Sequence, residues 1–196
     1  LKPDHTRQIR LLEALRRIPG VKKVFVASGI RHDLVLADKK NGLPYLRELV
    51  RHHTSGHLKI APEHAVSSTL KLMGKPVPEA LIDFKHLFEK VNTETKQKQF
   101  LTYYFIAAHP GCTENDMREL KSFISRELKT TPQQVQIYTP LPSTFSALMY
   151  WTGIDPETGR KIYVEKDPLK KQKQKELVTP ECRRSATGKR YKRKKV

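Results

Sequence analysis

The sequence predicts an α/β fold on a parallel sheet that forms part of a larger (β/α) barrel. Three observations carry the prediction. Helical and strand patterns alternate along residues 1–150, the signature of βαβ units. The strand patterns are unbroken apolar runs, as in Tyr103 to Ala108, which implies burial on both faces of the sheet. Four strands are counted after an opening helix, fewer than the eight of a closed barrel. The first strand is thereby left as an open edge.

The elements follow in order. HTRQIRLLEALRR, residues 5–17, carries Ile9, Leu12 and Leu15 at helical spacing, and Pro19-Gly20 ends it. Val24, Phe25 and Val26 read as a short buried strand. GLPYLRELVRHH reads as a helix with Leu43, Leu46 and Leu49 on one face. HLKIAPEH is a strand ending at Pro62. SSTLKLM is a brief helix stopped by Gly74 and Pro76. PEALIDFKHLFEKV is a longer helix, with Pro78 suited to its first turn. FLTYYFIAAHP is the strongest strand, TENDMRELKSFISREL a helix, and VQIYTPLP a strand running into a proline-bounded loop.

Residues 151–196 form a basic C-terminal extension. WTGIDPETGRKIYVEKD has turn signals at Asp155-Pro156 and Thr158-Gly159 that frame a small hairpin. Residues 168–178 read as a solvated helix. From about residue 180 the chain is expected to be disordered, since it has too little apolar area to offset ordering entropy.

The formal net charge is +18, and half of it lies in the last 32 residues, with thirteen Lys and Arg against four Asp and Glu. Such a balance favours polyanionic partners and speaks to association, not fold. No run approaches the ~18 apolar residues needed to span a bilayer. Residues 1–20 do not read as a secretory signal, so no membrane partner and a cytoplasmic location are expected. Two cysteines, Cys112 and Cys182, exclude a disulfide framework, and their number excludes three- and four-thiolate metal sites. His52, His53 and His57 have no acidic ligand close in sequence and make a poor metal cluster.

In a parallel α/β sheet, ligands collect at the carboxyl ends of the strands. That rule selects Ser28-Gly29-Ile30-Arg31, Ala61-Pro62-Glu63-His64, His109-Pro110-Gly111-Cys112-Thr113 and Thr139-Pro140-Leu141-Pro142. Thr113 suits a helix N-cap, with Asp116 in the first turn. Gly111 lacks a Cβ, so a ligand can approach its backbone and the N–H groups of the following helix. The plain alternative is that Pro-Gly-Cys-Thr only turns the chain.

HPGCTENDM resembles the fifth-strand motif of radical SAM enzymes, which lies near the adenine of S-adenosylmethionine. EHAVSSTLKLMGKP resembles the helix after the preceding strand in radical SAM methylthiotransferases. More closely, SGIRHDL, LKIAPEH, LKLMGKP, HPGCT and QIYTPLPST, in unbroken order over about residues 1–175, are similar to YgiQ-type radical SAM proteins. The resemblance implies a partial TIM-type barrel of the radical SAM class. It also implies S-adenosylmethionine and a [4Fe-4S] cluster in the intact protein, where reduction cleaves the cofactor to a 5′-deoxyadenosyl radical. The departure is the CxxxCxxC triplet that holds the cluster, which this sequence lacks. The chain is therefore expected to be the C-terminal part of such an enzyme, whether truncated, split or from a broken reading frame. Its expected partner is the cysteine-bearing N-terminal half, without which it is inactive.

By that resemblance Ser28, Gly29 and Arg31 face the cofactor's ribose or carboxylate. His109, Pro110, Gly111, Cys112 and Thr113 form a second part of the wall, and Thr139 with Pro140 a third. Glu63 and His64 are the candidates for acid–base work toward a substrate; the alternative for both is hydrogen bonding within a loop. Arg31 has the alternative of pairing with Asp33. Cys112 is a thiol beside a helix N-terminus or a small buried residue. Tyr103, Tyr104 and Phe105 are read as core packing rather than base stacking. The rival function is a non-enzymatic nucleic-acid (RNA) binding module acting through the terminal KRYKRKK, with steep salt dependence. A remnant of a disrupted gene is the third.

Overall fold

Three parallel strands, β1 (His57–Glu63), β2 (Phe100–Ala107) and β3 (Gln134–Ile137), lie side by side in that order in the computed structural model, which describes residues 2–132 and 134–179. β1 pairs with β2 from His57 beside Phe100 to Ile60 beside Tyr103, and the next pair is Glu63 beside Phe105. The extra residue on β1 falls where Pro62 has no N–H to donate, a bulge near the strand's end. β2 and β3 pair without interruption from Tyr104 beside Gln134 to Ala107 beside Ile137.

The described residues also form eight α-helices: α1 (Thr6–Arg16), α2 (His32–Ala37), α3 (Gly42–Glu48), α4 (Ser67–Leu72), α5 (Pro78–Thr95), α6 (Glu114–Phe123), α7 (Phe145–Thr152) and α8 (Pro168–Val178). α3 and α6 each run on into one π-helical turn, Leu49–His53 and Ile124–Leu128. The second closes on Lys129 in a left-handed conformation, as Lys96 closes α5. Pro78 occupies the first turn of α5, and Gly74, with positive φ, follows α4. Leu46, Leu49, Leu58, Ile60, Leu81, Phe84, Phe105, Met117 and Leu120 form the fully buried centre of the core. Tyr103 and Phe105 are in this core and Tyr104 is half-buried, so the aromatic run of β2 packs inward.

The sequence reading is corrected at four places. Val24–Val26 is not a buried strand: the segment has no regular secondary structure, and Phe25 is 47% exposed. Its backbone is taken by the end of the α3 helix, where His53 Nδ1 donates to Val24 O (2.7 Å) and Val26 N–H donates to His53 O (2.9 Å). Contact with β1 is limited to a single parallel bridge, Ile30 beside Ile60. The sheet among the described residues therefore has three strands, an α/β arrangement without a complete barrel. α2 and α7 arise in stretches to which the sequence reading assigned no helix.

The fourth correction concerns α8, which is not a solvated helix. Asp167 caps it by accepting from the Leu169 and Lys170 N–H groups. Lys171, Gln174 and Val178 are buried where α8 packs on α6, β3 and β2. The hairpin before it reduces to one antiparallel bridge, Ile154 beside Lys161, around a turn in which Asp155 accepts from Glu157 N–H and the Thr158 hydroxyl. The basic tail 180–196, with its expected disorder and polyanion affinity, lies outside the described residues. No helix among the described residues is long and apolar enough to cross a membrane.

Candidate functional site

The parallel register carries the four predicted corners to one rim of the sheet. Ile30 sits beside Ile60, Glu63 beside Phe105, and Ala107 beside Ile137, so the segments that follow emerge at the same end. Two of those strand ends turn through left-handed non-glycine residues, Glu63 (φ 69°) and Ala108 (φ 58°). Each such residue costs about 1–2 kcal/mol, and strain of this kind concentrates at functional sites.

At the first corner Ser28, Gly29 and Arg31 are all exposed. A Cβ on Gly29 would meet the nearest atom, Ala61 Cβ, at 3.8 Å, so packing does not demand the glycine. Arg31 forms a two-pronged ion pair with Asp33, its Nε donating at 2.8 Å. Across the rim, Lys75 Nζ lies 3.4 Å from both Glu63 Oε1 and Ala61 O. Burial raises the Glu63 carboxyl, with Lys75 and Arg31 pulling the other way. Glu63 is thus a half-buried acid between two cations.

His64 is a different case. It is 1% exposed, and burial draws its imidazole down to about 4, so it is neutral at pH 7. Val66 N–H donates to its Nδ1 (3.0 Å), which leaves the ring proton on Nε2. That nitrogen lies 3.6 Å from Cys112 Sγ. The thiol in turn can donate to Thr113 O (3.7 Å) or Gln174 Oε1 (3.9 Å), and Gln174 Oε1 also accepts from Ala108 N–H (3.1 Å). The result is a closed buried chain from His64 through Cys112 to Gln174 of α8. Of the two acid–base candidates read from the sequence, His64 is committed to this chain and Glu63 is left half-buried at the rim.

The His109–Thr113 corner is filled from within the protein. Gly111 has φ 86°, and a Cβ there would stand 2.1 Å from Leu72 Cδ1, so the space freed by the glycine holds Leu72 of α4. Its N–H donates to Tyr163 O (2.7 Å). Pro110 and Cys112 are buried, and burial pushes the Cys112 thiol up to about 12. Thr113 caps α6 as expected: Asp116 N–H donates to its hydroxyl (3.2 Å), and its own N–H donates to the Asp116 carboxylate (2.7 Å).

His109 is 3% exposed, and burial draws it down to about 4 as well. Its Nδ1 lies 2.8 Å from Pro110 O and its Nε2 2.8 Å from Ser146 Oγ on α7. The ring meets Tyr138 edge-on, with centroids 5.0 Å apart. At the last corner Thr139 is exposed and Pro140 half-buried, while the buried Tyr138 hydroxyl has no hydrogen-bond partner among the described residues.

Three residues outside the sequence-based candidates take part: Lys75, Ser146 and Gln174. Lys75 lies in the quoted LKLMGKP run and was visible there as a charge. Ser146 and Gln174 reach the rim from helices α7 and α8, 37 and 66 residues after His109 and Ala108, and no local spacing signals such partners. Beside the corner, between α4 and α7, a cavity of about 380 Å³ is lined by Leu72, Gly74, Ser143, Ser146, Met149 and Asp155, among others. No group of three His, Cys, Asp or Glu suited to hold a metal ion occurs among the described residues.

No protein-family model matches the chain. Curated relatives do. The chain is 54% identical over 179 residues to a UPF0313 protein of Fusobacterium nucleatum, covering 91% of this chain and 32% of the relative. It is 46% identical over 178 residues to a UPF0313 protein of Thermotoga petrophila, covering 91% and 31%. To a UPF0313 protein of Clostridium perfringens it is 38% identical over 178 residues, covering 91% and 26%. The chain thus spans about a third or less of the length of these relatives. The match to them runs through every corner of the rim, and it agrees with the YgiQ-type resemblance of the motifs. The chain belongs to the UPF0313, or YgiQ, family and corresponds to the C-terminal portion of its longer members.

Proposed function

We propose that the chain supplies the carboxyl-end wall of an S-adenosylmethionine site in a longer UPF0313 protein of radical SAM type, its three-stranded sheet being one arc of a (β/α) barrel. The observation that supports this reading is the gathering of four polar strand-end segments on one rim of a parallel sheet, two of them turning through strained backbone. Arg31, exposed and held by Asp33, is suited to a carboxylate, and Ser28 and Gly29 leave room beside it. Glu63, with its raised carboxyl, faces hydroxyl groups or a substrate proton. The unpartnered Tyr138 hydroxyl, with Thr139 and Pro140, offers a further donor. His109–Thr113 keeps the rim's shape through Leu72 and Tyr163.

The residues of this chain do not fit an iron–sulfur cluster. The sequence has two cysteines, and Cys112 is buried, protonated and hydrogen-bonded. Cluster and electron delivery belong, in this reading, to the cysteine-bearing portion of the longer protein, which is also the partner. The test combines the chain with the remaining portion of the Fusobacterium relative under anaerobic conditions. After cluster loading and reduction, 5′-deoxyadenosine is measured. The mixture should form it, neither part alone should, and Arg31→Ala should lower the yield at least tenfold. A loaded, co-eluting complex that forms none would refute the reading.

A further inference from the structure

We propose that Ser146 is an activated nucleophile, with His109 as its general base, and that it accepts an acyl group from a small ester or thioester entering the cavity between α4 and α7. The rim holds two pairs of a nucleophilic side chain and an imidazole, and the backbone sets them in opposite proton states. In the Cys112–His64 pair, Val66 N–H occupies Nδ1, so Nε2 carries the proton and faces the sulfur as a donor. That imidazole has no lone pair to offer the thiol. In the Ser146–His109 pair, Nδ1 faces Pro110 O, which can only accept, so Nδ1 carries the proton and Nε2 presents its lone pair. Ser146 Oγ, 2.8 Å away, therefore donates to Nε2. This is the nucleophile–base contact of acyl-transfer sites, with the base oriented by a third group.

The surroundings complete the requirement. Tyr138 packs edge-on against His109 and helps fix the ring. Ser146 is the second residue of α7. Thr144 takes the Ala147 N–H on its hydroxyl (3.1 Å) and the Leu148 N–H on its carbonyl (3.1 Å). The Phe145 and Ser146 N–H groups lie in the first turn of α7, where the helix itself offers them no carbonyl, and groups at this positive end are suited to a developing oxyanion. The cavity of about 380 Å³ is of a size for a small ligand, with Leu72 and Met149 as apolar lining for a short acyl chain.

The chemistry balances without a cofactor. The Ser146 Oγ–carbonyl carbon bond forms as the hydroxyl proton passes to His109 Nε2. The tetrahedral oxyanion collapses, the bond to the leaving alcohol or thiol breaks, and that group takes the proton from Nε2. Water then attacks the acyl-serine, gives its proton to Nε2, and Ser146 leaves with that proton. A carbonyl rather than a carboxylate orients His109, so the imidazolium gains little stabilisation and acylation should be slow and close to stoichiometric.

The test uses the whole 196-residue chain, with no cluster or cofactor, so its outcome is separate from that of the cofactor-wall reading. A fluorophosphonate probe should form one adduct on the Ser146 peptide. Ser146→Ala should abolish it, and His109→Ala should slow it at least about 100-fold. In case His109→Ala unfolds the chain, a second measurement stands on the unaltered protein: p-nitrophenyl acetate should release about one equivalent of nitrophenol and leave acetyl on Ser146. Three results would overturn the proposal: no adduct on a chain that circular dichroism shows folded, an adduct on another serine, or equal labelling of Ser146 in guanidinium-unfolded chain.

Discussion

Cys112 Sγ lies 3.6 Å from His64 Nε2, and the proton of that contact belongs to the nitrogen. The histidine therefore cannot ionise the thiol, and burial pushes the thiol up to about 12. At pH 8 its thiolate fraction is then on the order of 10⁻⁴, and only the thiolate reacts. Iodoacetamide at pH 8 should leave Cys112 intact for hours in the folded chain and alkylate it promptly in guanidinium. Peptide mapping of the Cys112 segment reads both. Alkylation of the native chain at the rate of a free thiol would mean that the corner opens or that the proton lies elsewhere.

Gly111 is the hinge of the same corner, and two costs meet in Gly111→Ala. The left-handed backbone, φ 86°, costs about 1–2 kcal/mol for an L-residue. The new Cβ also collides with Leu72, whose Cδ1 stands 2.1 Å from its position. Leu72→Ala removes the collision and leaves the backbone cost in place. In urea titrations the double variant should therefore lose less than the sum of the single losses, by about 0.5–3 kcal/mol of coupling. Strict additivity would mean that Leu72 moves aside freely.

Much of this arrangement was legible in the sequence, and the parts that were not share a physical reason. β1, β2, β3 and the helices between them follow from apolar runs and helical spacing, and Thr113 with Asp116 announced the α6 cap. α7 was missed because its apolar residues do not mark a buried face: Phe145, Leu148 and Trp151 are 74%, 47% and 69% exposed. α2, six residues long, is too short to show a period. α8 reads as KKQKQK, yet Lys171 donates to the Tyr150 hydroxyl (2.8 Å) and Gln174 accepts from Ala108 N–H. Burial secured by polar contacts leaves no hydrophobic pattern. Val24–Val26 failed in the opposite sense, since a β-type composition was captured by His53 instead of by β1. The rim could be inferred from strand ends, whereas Ser146 and Gln174 come to it through tertiary packing alone.

Gln174 carries a specific load. Its Oε1 accepts from Ala108 N–H at the strained end of β2. Gln174→Leu keeps the side chain's bulk and leaves a buried N–H without an acceptor, which costs about 1–3 kcal/mol. The variant should lower the urea midpoint. In hydrogen exchange the Ala108 amide should lose protection more than the amides of β1. A change confined to α8, with Ala108 still protected, would show that the helix end and not this contact holds the corner.

Acid should unfold the chain through its histidines. His32, His64 and His109 are buried, and burial holds each down at about 4, against about 6.5 in the unfolded chain. His32 Nδ1 has no hydrogen-bond partner at all among the described residues. Between pH 6.5 and 4 the unfolded state binds more protons at these sites, so stability falls as pH drops through that window and is insensitive to them above pH 7. Each histidine contributes a slope of up to about 1.4 kcal/mol per pH unit. Glu63, whose carboxyl is raised by burial, works in the opposite direction. Urea midpoints should therefore be flat from pH 8 to 7 and fall steeply from pH 6 to 5, and His32→Asn should make the fall shallower. Midpoints that stay level down to pH 5 would mean that the three rings ionise inside the fold, and the proton assignments at Cys112 and Ser146 would fall with them.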